Sequence, residues 1–119
     1  MDTLAVFVLS EALDLADGDQ ELFLTLANLF MQESPHDVVA VRAALARQDC
    51  DGLAAAAHKL KGSVLPICAP RLFERAQRLE MLGRQGEFAE AASVCADVER
   101  CLAEVHVALR DWTAGGCPS

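Results

Sequence analysis

Apolar residues recur along the chain at the spacing of amphipathic helices, and this pattern predicts helices throughout. A short first helix is expected over residues 3–14. A second is expected to begin near Asp19, whose carboxylate can cap it, and to reach Arg47. Within it, Pro35 predicts either a kink or a restart, since Ser34 and Asp37 around it resemble a helix start. The expected apolar residues of these two helices are Leu4, Phe7, Val8, Leu13, Leu15, Leu22, Phe23, Leu26, Leu29 and Phe30.

Three further helices complete the predicted pattern. Asp49 can cap a third helix that runs to about Ile67, and Pro70 fits the first position of a fourth, over residues 71–84. Gly86 marks the connection to a fifth helix over residues 88–112. No stretch has the pattern of a strand, and the connections are short. We therefore predict an all-α fold, an antiparallel four-helix bundle with a short additional N-terminal helix. Residues 1–112 are expected to form the domain and residues 113–119 a flexible tail.

Charge narrows the classes of partner. The 119 residues carry a formal net charge of -8, and the basic residues are scattered among more numerous acids. Binding to nucleic acid or to an anionic membrane surface would need a basic stripe, so neither is expected. The apolar stretch LAVFVLS near the start is too short to span a bilayer and lacks the features of a signal peptide. We expect a cytoplasmic protein with no direct membrane insertion.

The five cysteines are expected to be reduced and mostly buried. No pair has CxxC spacing, and an odd number does not suit a disulfide framework. A metal site with His36 or His106 as added ligands is possible in principle, but no spacing supports it. Cys117, in the tail, is expected to be exposed.

The stretch AAAAHKLKGS, residues 54–63, places a histidine on a bare helix face. At about 100° per residue, His58 lies opposite the core stripe of Leu53, Leu60, Val64 and Ile67. Small residues, Lys61 and Gly62 lie within roughly 60° of it. A neutral imidazole near pH 7 is a competent nucleophile, and a phosphoryl group on it would need both room and a nearby cation. The pattern suits a phosphorylated histidine, although an exposed histidine is often only a solvated residue.

The stretch AHKLKGSVLPICAPRL, residues 57–72, resembles the signature of histidine-containing phosphotransfer (HPt) domains, AHxLKGSxxxxGAxxL. The similarity extends over residues 6–109, including ELFLTLANLFMQE and RAQRLE. The matching signature residues are Ala57, His58, Leu60, Lys61, Gly62, Ser63, Ala69 and Leu72.

This resemblance implies a four-helix bundle that relays phosphoryl groups without kinase activity of its own. By the resemblance, His58 accepts a phosphoryl group from a receiver-domain aspartate and passes it to a response-regulator aspartate. Lys61 would support the phosphoryl group, and Gly62 would give clearance for the receiver. Glu80 would accept a hydrogen bond from the other ring nitrogen, or would be only a solvated boundary charge. The expected partners are receiver domains of a hybrid sensor kinase and of a response regulator. The chain would need no cofactor of its own, because the receiver brings Mg²⁺, and we expect a monomer.

Two residues depart from the family pattern. Cys68 stands where the family has glycine, so the turn there must be made differently or with strain. Pro66 lies within the expected third helix and predicts a kink or an early end. The chain could be a free-standing protein or the C-terminal domain of a hybrid kinase. A helical adaptor without chemistry and a metal-binding helical bundle are the competing hypotheses.

Overall fold

The structure, a computed structural model, describes residues 8–115. Five helices follow one another, and no strand occurs within that range. They are α1 (Leu9–Leu15), α2 (Gln20–Arg47), α3 (Cys50–Val64), α4 (Pro70–Gln85) and α5 (Phe88–Gly115). Contacts of α3 with α2 and α4, and of α5 with α4 and α2, close a four-helix bundle. The short α1 lies against α2 and against the 3₁₀ turn, Leu65–Ile67, that follows α3. This is the predicted fold.

Side chains and turn conformations set the helix boundaries. Asp19 caps α2 by accepting a hydrogen bond from the Leu22 backbone N–H at 3.0 Å, and Asp49 caps α3 in the same way through Gly52. Gly86 ends α4 at a φ of 72°, in the left-handed region that glycine adopts without strain. The short connections make successive helices antiparallel.

Some predicted boundaries change in the structure. Helix α1 begins only at Leu9, because Val8 is extended and donates its backbone N–H to the Cys68 carbonyl at 2.9 Å. The expected helical residues 3–7 lie outside the described residues. Helix α5 continues to Gly115, past its expected end at residue 112, and residues 116–119 of the expected tail also lie outside the description.

The two internal prolines behave differently. Helix α2 runs through Pro35 without a restart. Pro35 is exposed, so water can serve the carbonyl that lacks a helical N–H partner. Pro66 instead ends the α-helix early, as predicted: α3 stops at Val64, and a 3₁₀ turn covers Leu65–Ile67. Cys68 then closes this turn at a φ of 56°, a left-handed conformation that costs a non-glycine residue about 1–2 kcal/mol.

The core lies between the four long helices and includes most of the predicted stripe residues of α3, α4 and α5. Three residues predicted to lie on the apolar face of their helices are instead exposed, namely Leu15, Leu22 and Leu29, so this part of the prediction is wrong. Smaller residues, Ala12, Ala16 and Ala27, face the core instead. The largest fully buried side chains include Phe23, Leu53, Leu60, Ile67, Leu72, Leu79 and Leu109.

Gly83 sets how closely α4 approaches α3. A Cβ atom at this buried position would lie 3.0 Å from both the Ala54 backbone nitrogen and the Leu53 Cγ. Only a residue without a side chain allows this separation, which brings the C-terminal part of α4 against the helix that carries His58. The four described cysteines are free thiols: Cys95 and Cys101 are buried, while Cys50 and Cys68 are half-buried. Cys117 lies outside the described residues.

Candidate functional site

His58 lies on the exposed side of α3. Its neighbours on the helix, Ala57 and Leu60, are fully buried in the bundle, whereas the His58 side chain is 67% exposed. This is the orientation that the helical spacing predicts. The ring is therefore accessible to a second macromolecule while its base stands on a rigid, packed helix.

A buried carboxylate on α4 contacts the ring. Glu80 is 5% exposed, and its Oε2 lies 3.1 Å from His58 Nδ1. Its Oε1 lies 2.8 Å from Lys61 Nζ, and Oε2 lies 2.5 Å from an Arg84 guanidinium nitrogen. One carboxylate thus joins three side chains from two helices.

Electrostatics keeps this carboxylate ionised. The hydrogen bond from the Lys61 ammonium is the main cause that lowers the pKa of Glu80, and the charge of Arg84 and the His58 hydrogen bond add to it. Burial acts in the opposite direction without prevailing. An ionised carboxylate can only accept hydrogen bonds, so the hydrogen in this contact belongs to Nδ1 of His58. In the neutral ring, Nε2 then holds the lone pair and is the available nucleophile.

A cavity of about 450 Å³ opens beside the ring, between α3 and α4. Its walls include His58, Lys61, Gln77, Arg78, Glu80 and Arg84. Gly62, one turn along α3 from His58, is exposed, and a Cβ atom there would meet nothing within 4 Å. The cavity next to the ring therefore contains three cations, Lys61, Arg78 and Arg84, and two carboxylates, Glu74 and Glu80. The surface is unobstructed at Gly62.

The structure brings together three of the four residues singled out from the sequence, namely His58, Lys61 and Glu80. Gly62 lies on the same helix beside them without contacting the carboxylate. Sequence reasoning missed Arg84, although its position four residues after Glu80 on one helix is a readable signal for an ion pair.

A second polar cluster joins α3 to α2. Asp37 is 2% exposed; its Oδ1 lies 3.2 Å from Lys59 Nζ, and its Oδ2 accepts a hydrogen bond from Ser63 Oγ at 3.1 Å. The sequence suggested Asp37 as part of a helix start, but it is instead a buried partner of α3. Since Lys59 adjoins His58 in sequence, this cluster holds the helix segment that carries the ring.

A third polar pair, partly buried, lies between α2 and α5. Ser34 Oγ lies 2.9 Å from His106 Nε2, and the His106 ring packs edge-on to Phe30 with centroids 5.8 Å apart. Burial, followed by the charge of Arg110, lowers the pKa of His106. This histidine is a packed, paired residue, unlike His58.

Residues 8–115 contain no group of three or more His, Cys, Asp or Glu side chains placed to hold a metal ion. Among the described helices, none is both long enough and apolar enough to cross a membrane.

Comparison with known proteins gives a family match and similar folds. The sequence model of the Hpt domain matches residues 25–108, which is more than half of the chain. No curated protein matches the chain. The crystal structure of histidine-containing phosphotransfer protein B (HptB) from Pseudomonas aeruginosa PAO1 is similar, with a TM-score of 0.82, 24% identity, and coverage of 88% of this chain and 91% of that one.

The crystal structure of the HPT domain from the Hpt sensor hybrid histidine kinase from Shewanella is also similar. It has a TM-score of 0.82 at 17% identity and covers 95% of this chain and 97% of that one. At these identities the two structures support the four-helix fold, while the family match rests on the sequence itself.

Proposed function

Because the chain belongs to the Hpt domain family and so has a histidine phosphotransfer role in phosphorelays, we propose that His58 is its phosphorylated residue. The observation that carries this proposal is the pairing of an exposed ring with a buried, ionised carboxylate. Glu80 holds Nδ1, which leaves the Nε2 lone pair available. Of the other two histidines, His106 is half-buried and paired with Ser34, and His36 is an exposed residue of α2.

The neighbouring residues have complementary proposed roles. Lys61 supplies a positive charge within the cavity beside the ring, and it offsets part of the charge of a phosphoryl group there. Gly62 leaves room for the surface of a docked partner, which the open space at its Cβ position supports. Glu80 orients the ring and fixes the nitrogen that reacts.

The proposed partners are receiver domains. An aspartyl phosphate on the receiver of a hybrid sensor kinase would donate the phosphoryl group, and an aspartate on a response regulator would accept it. The receiver would supply Mg²⁺ along with its acidic pocket, so this chain contributes only its nucleophile and docking face. We place this relay in the cytoplasm of a bacterial cell and expect the chain to act as a monomer.

Phosphotransfer from a labelled receiver tests the proposal. The full chain, its His58→Gln variant and the matched control His36→Gln are each mixed with a radiolabelled phospho-receiver. We expect acid-labile, base-stable label on the wild type and on the control, and none on His58→Gln. Label that persists on His58→Gln would overturn the assignment.

A non-catalytic adaptor makes the opposite prediction. If folded wild-type protein binds receivers but takes up no label from a broad panel of them, the chain docks receivers without chemistry. If His58→Gln still binds receivers but carries no label, docking and phosphoryl transfer are separate properties of one surface.

A further inference from the structure

The two carboxylate oxygens of Glu80 have different partners. Oε2 accepts from both His58 Nδ1 and Arg84, whereas Oε1 contacts Lys61 alone. Glu80 is 5% exposed, whereas the ring is 67% exposed, so the charge of Glu80 reaches the ring across one hydrogen bond on a surface that is otherwise open to water. Its position fixes not only which ring nitrogen is free but also how strongly a positive ring would be stabilised.

Phosphorylation changes what the ring needs from this carboxylate. When the Nε2 lone pair attacks phosphorus, the N–P bond forms, the P–O bond to the donor aspartate breaks, and that electron pair returns to the donor carboxylate. The ring already carries a hydrogen on Nδ1, so it becomes a positively charged phosphoimidazolium. If it lost that proton, the later leaving group would be an imidazolate anion, which leaves poorly.

Resting on the proposed function, we propose that Glu80 keeps the Nδ1 proton on phosphorylated His58, and that its negative charge thereby makes the phosphohistidine a fast phosphoryl donor. In the outgoing step, an aspartate oxygen bonds to phosphorus and the N–P electron pair returns to Nε2. The ring leaves as neutral imidazole with its Nδ1 hydrogen still facing Glu80. No proton has to move in either direction of the relay.

The negative charge of Glu80, and not only its ability to accept a hydrogen bond, is what would keep the proton on Nδ1. A glutamine at position 80 could accept the same hydrogen bond but would bring no negative charge, and an opposite charge within about 4–6 Å favours the charged form of a titrating group by about one pH unit or more. The other charged groups near the ring are Lys61 on α3 and Arg84 on α4, which both form ion pairs with Glu80. Arg78 and Glu74, in the same cavity, pair with Glu90 and Arg75.

The test follows ring protonation directly. The 119-residue chain is phosphorylated with phosphoramidate, a small phosphoryl donor, and the ³¹P resonance of its phosphohistidine is titrated with pH. We expect Glu80→Gln to lower the titration midpoint by about one pH unit or more. Above that midpoint, its transfer to a receiver should slow by about tenfold relative to wild type.

Arg84→Ala should shift the titration midpoint of the phosphohistidine in the opposite direction. It removes the cation that shares Oε2 with His58, so the midpoint should rise. Arg84 is 68% exposed, which makes this variant safe for folding. Glu99→Gln is the matched control: the pKa of Glu99 is also lowered, chiefly by its hydrogen bond from Arg42, but this pair joins α5 to α2 away from the cavity. Its midpoint should equal that of wild type.

The outcomes separate this inference from the proposed function. Equal midpoints in wild type, Glu80→Gln and Arg84→Ala, or shifts of reversed sign, would overturn the role of Glu80 while leaving His58 as the phosphorylated residue. If circular dichroism shows Glu80→Gln unfolded, the sign of the Arg84→Ala shift decides alone. A wild-type protein that gains no phosphohistidine at His58 would overturn the proposed function, and this inference with it.

Discussion

Replacing Gly62 with alanine should stabilise the protein, whereas the same replacement at Gly83 should destabilise it. Both glycines lie inside helices, α3 and α4, where glycine costs about 0.5–1 kcal/mol relative to alanine. A new Cβ at position 62 meets nothing within 4 Å, so the full gain should appear. At position 83 it meets the Ala54 nitrogen and the Leu53 Cγ at 3.0 Å. Overpacking of this kind costs about 1–3 kcal/mol and outweighs the helix gain.

Urea unfolding followed by circular dichroism measures both effects. With a urea m-value of about 1–3 kcal/mol/M, Gly62→Ala should raise the midpoint by about 0.5 M and Gly83→Ala should lower it by a similar amount. A midpoint for Gly62→Ala at or below that of wild type would refute the reasoning, because it would mean that this glycine is needed by the fold itself.

The same position tests the proposed clearance for a partner. Gly62→Gln should keep the helix gain while placing a longer side chain on the surface near His58. We expect transfer from a phospho-receiver to slow by about tenfold or more, as for a disturbed reacting geometry, and labelling by phosphoramidate to fall less, since no protein must dock. Receiver transfer at the wild-type rate would show that no partner approaches Gly62.

Three further predictions concern the rest of the bundle. Cys68→Gly should raise the free energy of unfolding by about 1 kcal/mol, because it relieves the left-handed φ of 56°. In urea titrations Cys68→Ala should give no such gain, and an equal gain from both variants would refute the backbone strain. Asp37→Ala should lower the free energy of unfolding by about 1–3 kcal/mol, because Ser63 and Lys59 lose a buried partner. An unchanged midpoint of thermal unfolding would contradict this expected loss of stability. The lowered pKa of His106 means that the folded state prefers the neutral ring, so its contribution is complete above about pH 6.5 and is lost as the pH falls through the folded value. Between pH 7 and pH 5, wild type should therefore lose more stability than His106→Gln, and parallel losses would exclude the effect.

The sequence predicted well those features that depend on helical periodicity. His58 and the stripe of Leu53 and Leu60 follow from 100° per residue, and the structure puts them on opposite sides of α3. The contact of Glu80 with His58 came from the family resemblance, because the packing of one helix on another cannot be read from the spacing within either.

The errors have a common physical origin in long-range packing. Leu22 and Leu29 fit the apolar spacing of α2, but the tight bundle places Phe23 and Ala27 inward. Asp37 looked like a helix-start residue, because nothing local reveals that Lys59 and Ser63 will meet it across the α2–α3 contact. Propensity and spacing identify a face, whereas the neighbouring helix decides how much of that face is covered.

The exposed position of the His58 ring limits how many receivers can bind at one time. If His58 is phosphorylated as proposed, its single reactive nitrogen on one open face cannot be engaged by two receivers at once, so donor and acceptor must bind in turn. The rate of phosphoryl transfer through the chain would then be limited by how quickly each receiver dissociates, so a receiver that binds more tightly would slow the relay. A folded, unreactive copy such as His58→Gln would occupy receivers unproductively and slow the entire pathway in proportion to its abundance.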